Sequence, residues 1–510
     1  MTLRTLTAIR CFTLLAGMGA CHPPDVAPPG AIVVALESAP AVLDPRFTTD
    51  ANSSLVSALV TRGLTIGDDQ AEAKPDLAEA WRELSPLEYS FTLRPDATFQ
   101  DGGRVTAADV AATYRSVLDP ALRSPKREAL AAIERIDTPD DRTIVFRLRA
   151  IDAAFLEATN LGILPARLTG GGPVSAGELL GAGPFRIVGT LDGGGIDLAP
   201  NPNYMDGPPR LPRLRFRVVP DGVVRALELA SGTVHLVQNA LEPDLLPWLA
   251  ARPGLELLIT PGTTFQYLGI NFRDPRLADP RVRQALALGI NREAIVHHLL
   301  RDTARLATGL LPPTHWAYQG AVRRYPYDPE RALRLLAASG LGTAASEQLR
   351  RFSYKTSTVE LRRRIAEVFQ ADLSRIGLGL NVRSYEWATF YDDVRRGNFE
   401  LYSLAWVGVR DPDVYFRILH STMRPPLGNN RGGYANSTID SLLEHARHTP
   451  DRSQRRNAYA EVQRLVAEDL PMIPLWWTDN VVVKARALHG FEPSPDGDLR
   501  SLARATIARP

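Results

Sequence analysis

Tyr89, Phe91 and Leu93 alternate with Ser90, Thr92 and Arg94, a period of two that predicts a strand with one buried face. Pro95-Asp96 turns the chain after it, and Asp101-Gly102-Gly103 turns it again after Thr98-Phe99-Gln100. Thr106 precedes Asp109 by three residues, the spacing of a capping box, and predicts a helix from Ala107 to Leu118. The unbroken apolar run from Ala31 to Leu36 reads as a buried strand, and alternation predicts others at 143–148 and 214–219. Segments 55–81, 107–118 and 124–134 read as helices. Asp279-Pro280 and Asn291 open two more, since an acid or amide caps the N-terminus and proline suits the first turn. Leu361 to Ile376 is amphipathic, Gly377 to Val382 starts a strand, and Asn436 to Leu443 begins a further helix.

With 510 residues, at roughly 100–200 residues per domain, the chain has room for two to four domains. Its 45% hydrophobic and 23% charged residues are those of an ordinary soluble globular protein. The first twenty residues carry Arg4 and Arg10, an apolar run from Cys11 to Met18, and then Gly19-Ala20 before Cys21. That order describes a secretory signal peptide (1–20), too short to span a bilayer. Small residues ahead of a cysteine resemble a bacterial lipobox, with Met18 departing from the usual leucine. Cleavage there would leave Cys21 lipidated and discard Cys11, so the mature chain would hold no disulfide. Residues 21–30 are rich in proline and read as a stiff tether. Removing residues 1–20 subtracts two arginines and leaves 57 basic against 57 acidic residues, which argues against nucleic-acid binding by bulk charge.

The wording of FTLRPDATFQDGGRVTAADV, residues 91–110, goes beyond its periodicity. Trp81, Phe91, Leu93, Arg94, Pro95, Phe99, Asp101, Gly102, Thr106, Ala107, Asp109 and Val110 resemble the signature of the ABC-transporter extracellular solute-binding proteins, family 5. This is the oligopeptide, dipeptide and nickel class. Gly181 to Phe185, Asn201-Pro202-Asn203-Tyr204, Tyr267 to Phe272, RVRQALALGINREAIV from Arg281, and Asp469 to Leu475 resemble further blocks of that family in order. The resemblance covers about residues 31–500. It implies an α/β, two-lobed periplasmic-binding-protein fold of class II, cluster C type, with mixed sheets, an extra domain and a ligand cleft between the lobes. Lobe I would comprise 31–50, 173–265 and 472–510, the extra domain 51–172, and lobe II 266–471. The glycine-rich loop at 169–173 would cross between them.

Catalytic signatures are absent: the chain has no G-x-S-x-G elbow, H-E-x-x-H helix or Walker A loop. Only four lysines occur (Lys74, Lys126, Lys355 and Lys484), and none has a serine three residues before it. His297 and His298 are adjacent on a predicted helix, where neighbours point to different faces, and do not read as metal ligands.

The chemistry-bearing stretch is Tyr402 to Asp413, similar to the family block that lines the ligand cleft. In peptide binders of that family, an aspartate three residues after the tryptophan pairs with the peptide ammonium group. Here that position is Val409, and Ser403 stands where some relatives carry an arginine for the peptide carboxylate. Asp411 or Asp413 could take over the ammonium after a loop shift, or the ligand could lack one. Asp411 also reads as a turn residue before proline. Arg410 would favour an anionic ligand, and Arg431 is a second candidate for anion pairing. Trp406, Trp387, Tyr391 and Tyr415 are candidates for apolar side-chain pockets, as well as for plain core.

The resemblance therefore implies an extracytoplasmic solute-binding component of an ABC importer, lipid-anchored at the periplasm or cell surface and monomeric. It would need separate permease and ATPase chains, no cofactor and no metal, and would do no covalent chemistry. A peptide is the first expectation for the ligand, followed by an opine, a sugar derivative or a nickel chelate. A ligand-binding sensor or chaperone of the same fold is the alternative.

Overall fold

The computed structural model describes residues 27–508 apart from residue 71, so the signal segment, Cys21 and most of the tether lie outside the described residues. An eleven-stranded mixed sheet forms the backbone of the molecule. Ile32–Leu36 lies at the centre of one half, parallel to both Leu214–Val218 and Leu236–Gln238. Its five residues are all buried, as the run of β-branched side chains requires when both faces of a strand are covered. In the other half, Arg351–Ser357 pairs in parallel with Gly379–Tyr385 and Leu401–Trp406.

Two long strands, Leu255–Ile270 and Met472–Ala485, run antiparallel through both halves. Their ladder is regular up to Thr260 opposite Asn480 and resumes at Thr264 opposite Thr478. Between those points residues 261–263 face Asp479 alone, and Pro261 there has no N–H to give to a ladder. On one side of this bulge, Val482 and Val483 enter cores built around Ile32–Leu36. On the other, Ile473, Leu475, Trp476 and Trp477 pack with Phe265 to Ile270. Residues 473–477 thus pack on the side of the bulge opposite to Val482 and Val483. The fold is the expected one: two lobes joined through paired strands.

A four-stranded antiparallel sheet stands apart, in the order Ala78–Ser85, Glu88–Leu93, Thr143–Leu148, Ile133–Asp137. Helix Ala107–Leu118 covers it, and the two share one apolar core with Phe91, Tyr114 and Phe146 at its centre. The capping box is present: Thr106 N–H donates to Asp109 Oδ2 at 2.9 Å, and Asp109 N–H donates to Thr106 Oγ1 at 3.4 Å. Such a cap contributes about 1 kcal/mol to the helix.

Two expected helices are corrected. Only Ala51–Val60 is helical in the first, and Thr65–Gly67, Ala73–Pro75 and Ala78–Ser85 follow as strands. Gly63, Gly67 and Pro75 interrupt a helix, while Trp81 finds its partner across a ladder, 6.3 Å from Phe91. Within 124–134 there is one 3₁₀ turn, Arg127–Leu130, before the strand Ile133–Asp137.

Candidate ligand-binding site

Leu401–Trp406 lies antiparallel to the end of Leu255–Ile270, with Trp406 opposite Phe265, Leu404 opposite Tyr267 and Tyr402 opposite Gly269. The period of two puts these side chains on one face of the sheet. Gly269 is required there, because a Cβ would come within 2.2 Å of the Tyr402 ring. The Trp406 indole stacks parallel to Tyr267 at 6.4 Å, and Tyr267 meets Tyr402 edge-on at 5.8 Å.

Beyond Trp406 the strand stops and the chain turns. Val407 is 62% exposed, and Gly408 adopts φ +65°, a left-handed conformation that a side chain would strain. The turn sends Val409 into the lobe II core, 5% exposed, and Arg410 outward into the cleft between the lobes. That cleft encloses about 690 Å³. Lobe I lines it with Gln238, Asn480 and Asp496, the four-stranded domain with Arg62 and Glu157, and lobe II with Val407, Gly408 and Arg410.

Arg410 crosses this space. Its Nη2 pairs with Asp496 of lobe I, and its Nε lies 3.8 Å from Glu157 Oε1. Glu157 also accepts from Asn160 Nδ2 at 3.2 Å. Burial pushes the Glu157 carboxyl up to about 7; Arg410 opposes the shift, and Asp411 and Asp496 add to it. Burial also pushes Asp496 up, but Arg410, Ser494 and Arg500 outweigh it and hold that carboxyl below its ordinary range.

The sequence-derived candidates separate into three groups. Arg410 lines the cleft with its charge already matched. Asp411 and Asp413 do not line it, and each is paired with an arginine of the chain. Both Asp411 oxygens accept from Arg455 Nη2, at 2.9 and 3.1 Å, and Asp413 stands 3.0 Å from Arg447. Burial pushes Asp413 up to about 7, with Arg447 opposing and Asp411 and Asp152 adding to it. Tyr415, at 1% exposure, is a core residue of lobe II.

The third group comes together. Trp387 is exposed and stacks on Tyr391 at 5.6 Å. Tyr391 accepts a hydrogen bond from Arg431 Nη2 at 3.3 Å, and the Arg431 guanidinium lies 5.3 Å from the centre of the Trp406 ring. Trp387 and Tyr391 arrive on one helix, Trp387–Arg396, and Arg431 on the loop after Asn430, which is fixed by bonds from its Nδ2 to Leu419, His420 and Tyr434 carbonyls.

Sequence reasoning did not name Glu157, Asp496 or Gln238, and named Tyr267 only within a family block. Glu157 sits in a four-residue helical turn, and Asp496 in a Ser-Pro-Asp-Gly-Asp loop that reads as an ordinary turn. Among the described residues, no group of three or more His, Cys, Asp or Glu is placed to hold a metal ion. His297 and His298 do not diverge as a regular helix would require: Ile295–Leu299 is a π turn, and their rings touch at 4.7 Å. No described helix is long and apolar enough to cross a membrane.

The chain is 28% identical to the di/tripeptide-binding protein 2 of Pseudomonas aeruginosa, over 97% of this chain and 98% of that protein. It is 26% identical to the oligopeptide-binding protein AppA of Bacillus subtilis, over 94% and 92%. The solved structure of that AppA, in complex with a nonapeptide, superposes with a TM-score of 0.82 at 24% identity, covering 94% of this chain and 99% of the other. The family profile of bacterial extracellular solute-binding proteins, family 5, matches residues 72–424, and the chain belongs to that family.

Proposed function

We propose that this chain captures a peptide or peptide-like solute in its interlobe cleft and delivers it to the membrane subunits of an ABC importer. The observation that carries this reading is the cleft of about 690 Å³ walled by both lobes and the four-stranded domain. A space of that size suits a small ligand held by a few placed polar groups. Closure would turn on the bulge at residues 261–263, where the paired strands that join the lobes lose their ladder. On this reading lobe I is 31–50, 173–260 and the segment from about 480, the four-stranded domain is 51–172, and the remainder is lobe II.

The protein binds and does no covalent chemistry. Cys21 carries the lipid that holds a monomer at the membrane, and the permease and ATPase are other chains. Native mass spectrometry of the purified protein, followed by calorimetry with di-, tri- and tetrapeptides after unfolding and refolding, tests the reading. A bound peptide and saturable heats are expected. The absence both of a co-purified peptide and of heat with any peptide would overturn it, and time-dependent cleavage would overturn the binding-only role. An intact-mass increment on residue 21 checks the anchor.

One observation favours a second reading of the ligand, as a solute without a free ammonium group. Val409 occupies the position of the family's ammonium-pairing aspartate and is turned into the lobe II core. Preference for N-acetylated over free peptides would support that reading, and tight binding of free dipeptides would sink it.

A further inference from the structure

Arg431 is 6% exposed, and among the described residues no carboxylate pairs with it. Its neighbours are neutral: Nη1 donates to Tyr267 Oη at 3.2 Å, and Nη2 to Tyr391 Oη and Asn429 Oδ1, both at 3.3 Å. Tyr402 is a further neutral neighbour, and among the described residues Nε has no acceptor in hydrogen-bonding geometry. The Trp406 indole Nε1, also buried, has none either. A buried cation is normally matched by an anion, because desolvation is costly and neutral dipoles offset only part of it. The aromatic faces of Trp406 and Tyr391, at 5.3 and 5.4 Å, shield the charge without neutralising it.

Both side chains line one small pocket of about 20 Å³, walled also by Tyr267, Tyr402 and Asn429. That space holds one water-sized group, since about 10–15 Å³ is the minimum for a water. It therefore admits one oxygen of a planar carboxylate at the end of a chain, while the several charged oxygens of a phosphate outnumber the two donors that lack acceptors there. Two unmet donors in one pocket suit an acceptor-only group. Trp406, which lines the pocket, is the last residue of the strand that leads to Val407 and Gly408 on the cleft wall.

From this geometry we infer that the Arg431–Trp406 pocket is the anion subsite of the protein, and that the solute it carries presents a carboxylate to Arg431. The inference deepens the solute-binding reading and rests on it for the identity of the whole ligand, but not for the chemistry of the pocket. The lobe II aromatic face thus selects for a terminal or side-chain carboxylate, while Arg410, matched by Asp496, does not.

Two sets of probes separate the pocket from the ligand. Sodium acetate and inorganic phosphate are titrated at constant ionic strength with chloride, reading tryptophan fluorescence and thermal midpoint. Trialanine and trialanine amide are compared by calorimetry. Acetate is expected to give a saturable response in the wild type, lost in Arg431→Gln, with no response to phosphate. Trialanine is expected to bind at least tenfold more tightly than its amide, with the ratio falling to about one in the variant. Trp406→Phe keeps an aromatic ring but removes the pyrrole ring with its Nε1 donor, and should lower the ratio part of the way. It serves as the decisive variant if Arg431→Gln loses its circular dichroism. The inference is overturned by no response to acetate, by a response to phosphate equal to that for acetate, or by an acid-to-amide ratio unchanged in the variants. A response to acetate with neither trialanine nor its amide bound upholds the carboxylate pocket while overturning the peptide reading.

Discussion

Arg410 and Arg431 are both largely withdrawn from water on lobe II, and their surroundings differ in kind. Arg410 reaches across the cleft to Asp496 and Glu157, so its charge is matched by groups from two other parts of the chain. Arg431 is enclosed by Trp406, Tyr391 and Tyr267, with no carboxylate paired to it among the described residues. The first arrangement joins lobes, and the second leaves a buried cation among neutral groups. A buried arginine is therefore informative about ligand chemistry only after its carboxylates have been found.

The largest expected effect comes from making a matched arginine resemble Arg431, since Arg455 also lies over two aromatic rings, Trp316 at 5.3 Å and Tyr459 at 5.8 Å. Asp411→Ala strips Arg455, whose side chain is 8% exposed, of its carboxylate. Loss of one partner of a buried pair costs about 3–5 kcal/mol, to be read from urea unfolding. A loss under about 1 kcal/mol would show that neutral surroundings suffice at both places. Gly269→Ala forces the Tyr402 ring away from the position it shares with Tyr267. Overpacking of this kind costs about 1–3 kcal/mol, and the acetate response should fall with it.

Arg410→Met removes the bridge between lobes. With the side chain 21% exposed, the loss in stability should be about 1 kcal/mol. Small-angle scattering of the ligand-free variant should show a larger radius, while the acetate response at Arg431 persists. If that response disappears, the two arginines form one site.

The smallest effect is on pH dependence. A carboxyl held above its ordinary value binds its proton first in the folded state, so its contribution to stability is full below that ordinary value and is lost as pH rises. For Glu157 the window runs from 4.5 to about 7. The thermal midpoint should fall across that window, and Glu157→Gln should flatten part of the fall. An unchanged slope would place the titration elsewhere, with Asp413 the first alternative, since burial raises it to a similar value.

Much of the fold was legible because its signals are local. The alternation at 89–94, the Thr106 cap and the apolar run at 32–36 each specify an element within a few residues. The 61–81 stretch was misread because its apolar residues are spaced ambiguously, and only pairing across ladders decides for strand. The candidate site was legible by halves. Trp406, Arg431 and Tyr391 could be named, but nothing local distinguishes Asp411, consumed by Arg455 forty-four positions away, from a ligand carboxylate.

By itself the sequence determined the elements, the order of blocks and the family they spell, because periodicity, caps and turn residues act over short range. The tertiary structure alone decided which charges remain free. Matching a buried cation depends on carboxylates arriving from distant segments, as Asp496 does at Arg410. At Arg431 no described carboxylate arrives.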